Sequence, residues 1–477
     1  MCLCGCPIEQ TESATQQHDD KDETRHELPT LMTKLFPDAR RLAARLLETR
    51  FAMQIVRGAG VTFTLQAGSV ILLYILQLLL VRWMGKNDYG SYVFAYTWAQ
   101  LLAVFGAAGL TLSVLKYLPD YIANHDWRRV KGLLIAFRTT VLVASIFLGG
   151  LVALVFMIFP QADIDRSVLY LGLALTPLIA LKDLQTETIR SAQRVALAYA
   201  PPLVIQPMIV LVTGFFLFTV SGDLNGAHGV GMMAFALAIV LIMQAVIVRN
   251  EFGRSIARIP AIYATREWVR TSLPMLVIHG ALVVMNRADV VVVGMMLGTT
   301  QAGVYAVAAR TAMMISFVLE AINAVVAPNI APLYNRRDMR ALQQLVSTAT
   351  LLATILALGG TLGMIGLSHV LLGLFGEGFI AGRTSLIILS ISHLINSAAG
   401  PVGYLMHLTG HQHISGRVYV LGALLNVGLN LALVPTVGIE GAAIATAVAM
   451  VVQNVLMYTF VRRKLGINTL AFYSRRR

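Results

Sequence analysis

The chain has 477 residues, of which 57% are hydrophobic and only 13% charged, and it carries a formal net charge of +13. Charged residues make up about a quarter of an ordinary soluble domain, so this composition excludes one. All three cysteines, Cys2, Cys4 and Cys6, fall at the very start, which excludes a disulfide framework in the rest of the chain.

Met1 to Arg25 is polar and mixed in charge, the composition of a disordered tail. No apolar core near the start reads as a cleavable signal peptide. The three cysteines read first as the reduced thiols of an unstructured tail or of sequence upstream of the true start, with a metal or lipid anchor as the alternative. Leu42, Leu46, Leu47 and Phe51 recur at helical spacing among arginines, which predicts a basic helix lying on the inner membrane surface.

Roughly 20 apolar residues cross about 30 Å of hydrocarbon. Six such segments run from Gly58 to Trp83, Tyr92 to Leu118, Gly132 to Phe159, Ser167 to Ile189, Pro201 to Val220 and Gly229 to Val248. Six more follow, from Ser272 to Leu297, Ala302 to Ile330, Ala341 to Leu367, Ala381 to Leu408, Val418 to Pro435 and Ala442 to Phe460. Lipid leaves unpaired backbone groups unsatisfied, so long spans without a closed sheet are helices. The predicted organisation is a cytoplasmic segment 1–50, a six-helix lobe 51–250, a cytoplasmic linker 251–271, a second six-helix lobe 272–464 and a basic tail 465–477.

Basic residues crowd every second connection. Arg40 to Arg57 precede span one, Arg128, Arg129 and Lys131 follow span two, Arg190 and Arg194 follow span four, and Arg249 to Arg270 fill the centre. Arg336, Arg337 and Arg340 follow span eight, Arg417 follows span ten, and Arg462 to Arg477 close the chain. The intervening connections hold only Arg82, Lys86, Arg166 and Arg383. The positive-inside rule places both termini in the cytoplasm and accounts for the net charge without nucleic acid. The basic faces also suit anionic lipid heads, so membrane lipids are expected partners.

The two halves repeat. Gly85, Gly90, Tyr92 and Ala95 match Gly298, Gly303, Tyr305 and Ala308 without a gap, and the register is expected to hold through Pro119 and Tyr121 to Pro332 and Tyr334. Each half has an even number of spans, so both have the same orientation. The predicted fold class is an all-α integral membrane protein, with twelve transmembrane helices in two six-helix lobes related by a pseudo-two-fold along the membrane normal. The substrate path then lies between the lobes.

The glycine-tyrosine hairpin after span one resembles that of the Wzx-type oligosaccharide-lipid flippases. So does Asp289-Val290-Val291-Val292-Val293-Gly294 running into Gly298, Gly303, Tyr305 and Ala308, and Leu429-Asn430-Leu431 with Pro435, Gly438, Gly441 and Ala442. The resemblance covers roughly Arg50 to Ile467, and the superfamily also holds multidrug exporters and lipid II flippases. It implies a central cavity open to one side at a time. The implied cargo is a polyprenyl-diphosphate-linked oligosaccharide, moved from the inner to the outer leaflet of a bacterial cytoplasmic membrane for lipopolysaccharide or exopolysaccharide assembly. A polysaccharide polymerase and a chain-length regulator are implied partners. The chain departs from the pattern at His411, where Lys or Arg is common, which puts head-group contacts there in doubt. It stops after twelve spans, whereas lipid II flippases commonly carry two more.

Such a head group is anionic, and cationic side chains in a polar cavity would pair with it. An arginine at mid-membrane costs about 2.5–3.5 kcal/mol on insertion scales, so it needs a partner or a purpose. Arg287 and Arg310 qualify. Counting about 1.5 Å per residue from the hairpin turn puts Asp289 and Arg310 level, near mid-bilayer. They read as an ion pair joining two helices, or as parts of a substrate or ion-coupling site, with Arg287 left as the phosphate contact. Asp289 and Glu320 are the candidate proton or sodium carriers. Lys182 and Asp183 in span four and Arg138 in span three form either a charge cluster near the cytoplasmic edge or a site receiving the head group.

Asn426 and Asn430 share one face of span eleven and suit interhelical bonding or sugar contact; Asn323, Asn396 and Gln77 suit packing or cavity lining. Pro177, Pro207 and Pro401 should bend their spans, with Gly400 and Pro401 the candidate hinge. His411 and His413 are too few to hold a metal. No phosphate loop, no catalytic triad spacing and no cofactor motif is present. A drug/cation antiporter of the same architecture, or a membrane scaffold for polysaccharide assembly, stand as alternative readings; an enzyme does not.

Overall fold

The computed structural model describes residues 50–159 and 163–470, with side chains from residue 68 onward. The N-terminal cysteines, the basic helix around Leu42 and the end of the basic tail lie outside the described residues. Helices in the first half are α1 (Arg50–Gly106), α2 (Leu110–Ala123), α3 (Trp127–Ile158), α4 (Arg166–Leu173), α5 (Thr176–Ser191), α6 (Val195–Ala200), α7 (Gln206–Ser221) and α8 (Gly226–Ile256). The second half holds α9 (Thr265–Leu297), α10 (Thr299–Met313), α11 (Ser316–Asn335), α12 (Met339–Gly366), α13 (Ser368–Gly373), α14 (Arg383–Ala399), α15 (Val402–Leu408), α16 (Gln412–Val437) and α17 (Ile439–Phe460).

Eleven described segments are long and apolar enough to cross a bilayer. The first, Gly68–Gly106, has 39 residues. At about 1.5 Å per residue it is far too long for one crossing of about 30 Å. It is broken at Gly85, whose φ of 73° and ψ of 176° are not helical, so it makes two crossings and the total is twelve. Large apolar side chains such as Val143, Phe216 and Leu424 are exposed around the outside, as befits helices whose solvent is lipid.

The duplication is written in the backbone. Gly298, the repeat mate of Gly85, has nearly the same dihedrals, φ 88° and ψ 160°. Both glycines turn the chain where a side chain would be strained. Further on, Asn124 N–H bonds Asp120 O, His125 N–H bonds Ile122 O and Asp126 N–H bonds Tyr121 O. The second half repeats these bonds from Arg336 to Pro332, Arg337 to Tyr334 and Asp338 to Leu333. Asp126 and Asp338 then cap the next helix, each accepting from the N–H three residues on.

The repeat slips by one residue between these two features. From Lys86 to Ala123 span two holds one residue more than span eight does from Thr299 to Asn335, and its break at 107–109 comes six residues later in the hairpin register than the break at 314–315. The expected match of Pro119 and Tyr121 with Pro332 and Tyr334 therefore fails by one position; Asp120 stands opposite Pro332. A broken helix absorbs an extra residue without disturbing its packing, which an ungapped comparison misses.

Helices also outrun their apolar stretches. The expected linker 251–271 shrinks, because α8 continues to Ile256 and α9 begins at Thr265. Hydropathy measures hydrocarbon thickness, while the helix continues into its basic end, where Arg254 suits the C-terminal dipole. The expected tail 465–477 begins as a docked segment: Ile467 and Thr469 are buried, and Asn468 exchanges two hydrogen bonds with Gln343, at 2.6 and 2.8 Å.

The lobes meet along two seams. At the hairpin end, a Cβ on Gly303 would stand 2.8 Å from Gly90 Cα, and one on Gly90 would overlap the Thr299 carbonyl. The repeat-related glycines thus press backbone on backbone at the pseudo-two-fold. Ser91 and Thr299 hydroxyls are 3.2 Å apart beside them, and Thr300 donates to Asn87 at 3.0 Å. The second seam joins α2 to α9 through Ser113 and Ser272 (2.7 Å), Tyr117 and Thr271 (2.6 Å), and the Trp268 indole donating to Tyr121 (3.1 Å).

Candidate functional site

Spans two and eight are broken between α1 and α2 and between α10 and α11, and their segments α1 and α10 line the interior. A cavity of 420 Å³ opens there. Spans one and two contribute Tyr74, Gln77, Tyr89, Tyr92, Tyr96 and Gln100; Lys182 enters from α5, and Arg287 and Arg310 enter from α9 and α10. The same two arginines also line a smaller cavity of 100 Å³ in the second lobe, with Asp289, Thr446 and His393. Arg287 and Arg310 therefore stand at the boundary shared by both chambers. Neither forms an ion pair or a hydrogen bond among the described residues.

Asp289 and Arg310 both line the smaller cavity, and no ion pair joins them among the described residues. Asp289 is buried, and its carboxylate accepts from the Tyr305 hydroxyl at 2.7 Å, from Val290 N–H at 2.8 Å and from the Thr446 hydroxyl at 3.4 Å. Asn426 donates to Thr446 at 3.0 Å, and Asn430 donates to the Asn426 carbonyl at 2.9 Å. Spans seven, eight, eleven and twelve thus converge on one carboxylate. Tyrosine takes the place of arginine because depth along a hairpin says nothing of rotation: Tyr305 faces Asp289, while Arg310 faces the cavity. Asn426 and Asn430 are members of this network and are absent from the cavity lining.

The other expected residues separate. Lys182 pairs with its neighbour Asp183 at 2.9 Å and joins the large cavity. Arg138 does not line that cavity with it, and its Nη2 is shut from solvent without a hydrogen-bond partner. Of the expected three residues, Lys182 and Asp183 pair, and no ion pair joins Arg138 to them among the described residues. Glu320 is exposed and accepts from the Tyr404 hydroxyl at 3.1 Å. Asn323 is buried with its Oδ1 unpartnered, and Asn396 accepts from Asn454 at 3.0 Å. Gly400 and Pro401 separate α14 from α15, so the chain does break at the expected hinge position. Pro177 begins α5 and Pro207 begins α7 after a π-helical turn, Pro201–Ile205. His411 meets the Thr409 hydroxyl at 3.1 Å and the edge of Phe460.

Sequence reasoning missed Tyr305 and Thr446 as partners of Asp289, the tyrosines and Gln100 of the large cavity, and His393, whose Nδ1 lies 2.6 Å from the Ser316 hydroxyl. One signal was available: Tyr92 and Tyr96 are a helical turn apart and share a face.

Comparisons with known proteins bear on this architecture. The chain is 25% identical over 169 residues to the probable low-salt glycan biosynthesis flippase Agl15 of Haloferax volcanii, a match covering 35% of this chain and 36% of that relative. It thus spans about a third of the relative's length. The solved structure of the lipid II flippase MurJ in an inward closed conformation superposes with a TM-score of 0.66 at 15% identity, covering 84% of this chain and 87% of that one. An inward-facing multidrug resistance transporter of the MATE family and MOP superfamily gives 0.64 at 14% identity, covering 86% and 98%. At such identities the two structures establish the fold alone, a multi-pass membrane bundle. The sequence model of the polysaccharide biosynthesis protein family matches residues 55–333, more than half of the chain, and the chain is a member of that family.

Proposed function

We propose that this protein carries a polyprenyl-diphosphate-linked oligosaccharide from the inner to the outer leaflet by alternating access. The observation that supports this most is the pair Arg287 and Arg310: two guanidinium groups within apolar spans, in no ion pair among the described residues, lining the chamber between the lobes. Leaving one charge in hydrocarbon costs several kcal/mol, and a diphosphate would supply what both lack. Two unpaired cations repel a cationic drug, which argues against the antiporter reading. Arg287→Ala should lower transport of a fluorescent lipid-linked glycan in reconstituted vesicles by about a hundredfold, the loss of one charge-assisted bidentate contact, with protein abundance unchanged. Normal transport in that variant would reject the assignment.

In this reading the hairpin end faces outward, because its connections are poor in basic residues. Both termini then lie in the cytoplasm of a cell whose inner membrane holds the protein. With Gly90 against Gly303 the outer side is shut, the state that receives cargo from the inner leaflet. Asp289 is the carrier of the coupling ion: a buried carboxylate ringed by the hydroxyls of Tyr305 and Thr446 and backed by Asn426 can trade a proton or sodium ion as the lobes rearrange. Glu320, exposed and held by one tyrosine, is the weaker candidate. Transport that is unchanged when the ion gradient is collapsed would remove the coupling role and leave the cargo assignment standing.

A further inference from the structure

We propose that the first lobe's side of the large cavity seats the sugar, as a pyranose-binding subsite built by Tyr92, Tyr96, Gln77 and Gln100. The inference rests on the flippase reading above and says where the glycan of that cargo lies.

A sugar ring has apolar C–H faces and a rim of hydroxyls. It is held by an aromatic plane and by amides that both donate and accept. The cavity offers both. Tyr92 and Tyr96 stack with ring centres 5.9 Å apart and 10° between planes. Tyr92 is buried beneath, while Tyr96 is partly exposed, so the pair presents a backed aromatic surface to the chamber. Gln77 is buried with Nε2 unpartnered, and Gln100 Oε1 is unpartnered as well. The Tyr89 hydroxyl points toward Gln77, and the Tyr74 hydroxyl toward Thr311, without closing a hydrogen bond of good geometry. Buried polar groups in folded proteins are almost always satisfied, so Gln100 Oε1, together with the Tyr89–Gln77 and Tyr74–Thr311 approaches left open, marks a place where a polar ligand completes them.

The duplication shows that helix packing does not require this equipment. In the gap-free register of the hairpins, Tyr89, Tyr96 and Gln100 stand opposite Ala302, Ala309 and Met313, and Gln77 stands opposite Val290. The second lobe makes the same hairpin with small or apolar residues at those positions. Apart from Tyr92, whose mate is Tyr305, the polar aromatic set is an addition of the first lobe, and it faces the chamber where Lys182, Arg287 and Arg310 gather. A sugar joined to a diphosphate needs these two surfaces side by side. The 420 Å³ volume falls within the range of small-ligand pockets.

The test uses purified full-length protein in nanodiscs and three probes: a bare polyprenyl diphosphate and the same lipid bearing N-acetylglucosamine or galactose. Wild type should bind at least one glycosylated lipid about tenfold more tightly than the bare one, the worth of one good contact set. Tyr96→Ala and Gln100→Met should erase that preference while leaving affinity for the bare lipid within about twofold. Tyr96→Phe should keep it, because stacking survives, and this controls for a folding defect. Arg287→Ala should weaken all three lipids alike. Equal affinity of wild type for all three lipids would overturn the subsite and leave the flippase reading intact, provided Arg287→Ala still weakens them. Equal weakening of all lipids by Tyr96→Ala and Gln100→Met would assign these residues a structural role and also overturn the subsite. No binding of any lipid would overturn the flippase reading, and the subsite with it.

Discussion

The two lobes share their turns and differ in their interiors. Gly85 and Gly298 take the same unusual backbone shape, and Asp126 and Asp338 cap the same turn. Inside, the first lobe places Tyr74, Leu76, Gln77 and Tyr96 where the second places Arg287, Asp289, Val290 and Ala309. Positions that end helices tolerate no change without misplacing whole spans, whereas a residue facing a chamber answers only to what enters it. A duplicated bundle can therefore keep its scaffold and divide its chemistry: aromatic and amide groups, with Lys182, on one side, and Arg287 and Arg310 on the other.

The most drastic way to break the comparison is to weld the lobes where they match best. Ser91→Cys with Thr299→Cys, in a background where Cys2, Cys4 and Cys6 are serine, should form a disulfide, since the two hydroxyls are 3.2 Å apart. Oxidation should abolish transport and a reductant should restore it. Retained transport in the cross-linked protein would show that the hairpin end never opens.

A smaller effect is expected from giving Asp289 the residue of its repeat mate. Asp289→Leu should slow transport by about tenfold to a hundredfold, the scale of losing hydrogen bonds to a charged group, and should remove its dependence on the ion gradient. A variant still driven by the gradient would return the coupling role to Glu320. By contrast, Glu320→Gln should change the rate by less than about twofold, because an exposed carboxylate with one neutral partner contributes little.

The smallest effect sharpens the same divergence in stability. Tyr305→Phe removes the hydroxyl that satisfies Asp289 and should cost about 1–3 kcal/mol, read as a lower Tm in detergent. Tyr92→Phe, its mate in the other lobe, keeps the stacked ring and should leave Tm unchanged. Equal losses would mean that the two tyrosines do the same work.

These contrasts explain what could be read from the residues alone. Spans, the duplicated hairpins and the level of Asp289 against Arg310 follow from hydropathy and a fixed rise per residue, which act along the helix axis. The partner of Asp289 depends on rotation about that axis, and hydropathy is blind to it in a segment apolar all round. The cavity tyrosines were hidden for another reason: tyrosine near a hairpin turn is ordinarily an interfacial anchor. Depth in neighbouring spans also does not tell that Lys182 lines the large cavity and Arg138 does not. Likewise the helical extensions of α8 and α9 carry arginines, which mark the membrane edge and not the helix end.

The extra residue of span two, in the stretch that includes the joint between α1 and α2, has a practical consequence for chimeras. Each residue turns a helix by about 100°, so a graft that crosses this joint in the hairpin register would present the wrong side of the downstream segment to its neighbours. Exchanges of the upper hairpins, from Gly85 to Gln100 against Gly298 to Met313, keep their facing because both segments end before the joint. Exchanges of whole halves need one residue deleted or added there, which makes the joint the natural splice point for building a fully symmetric version of this bundle.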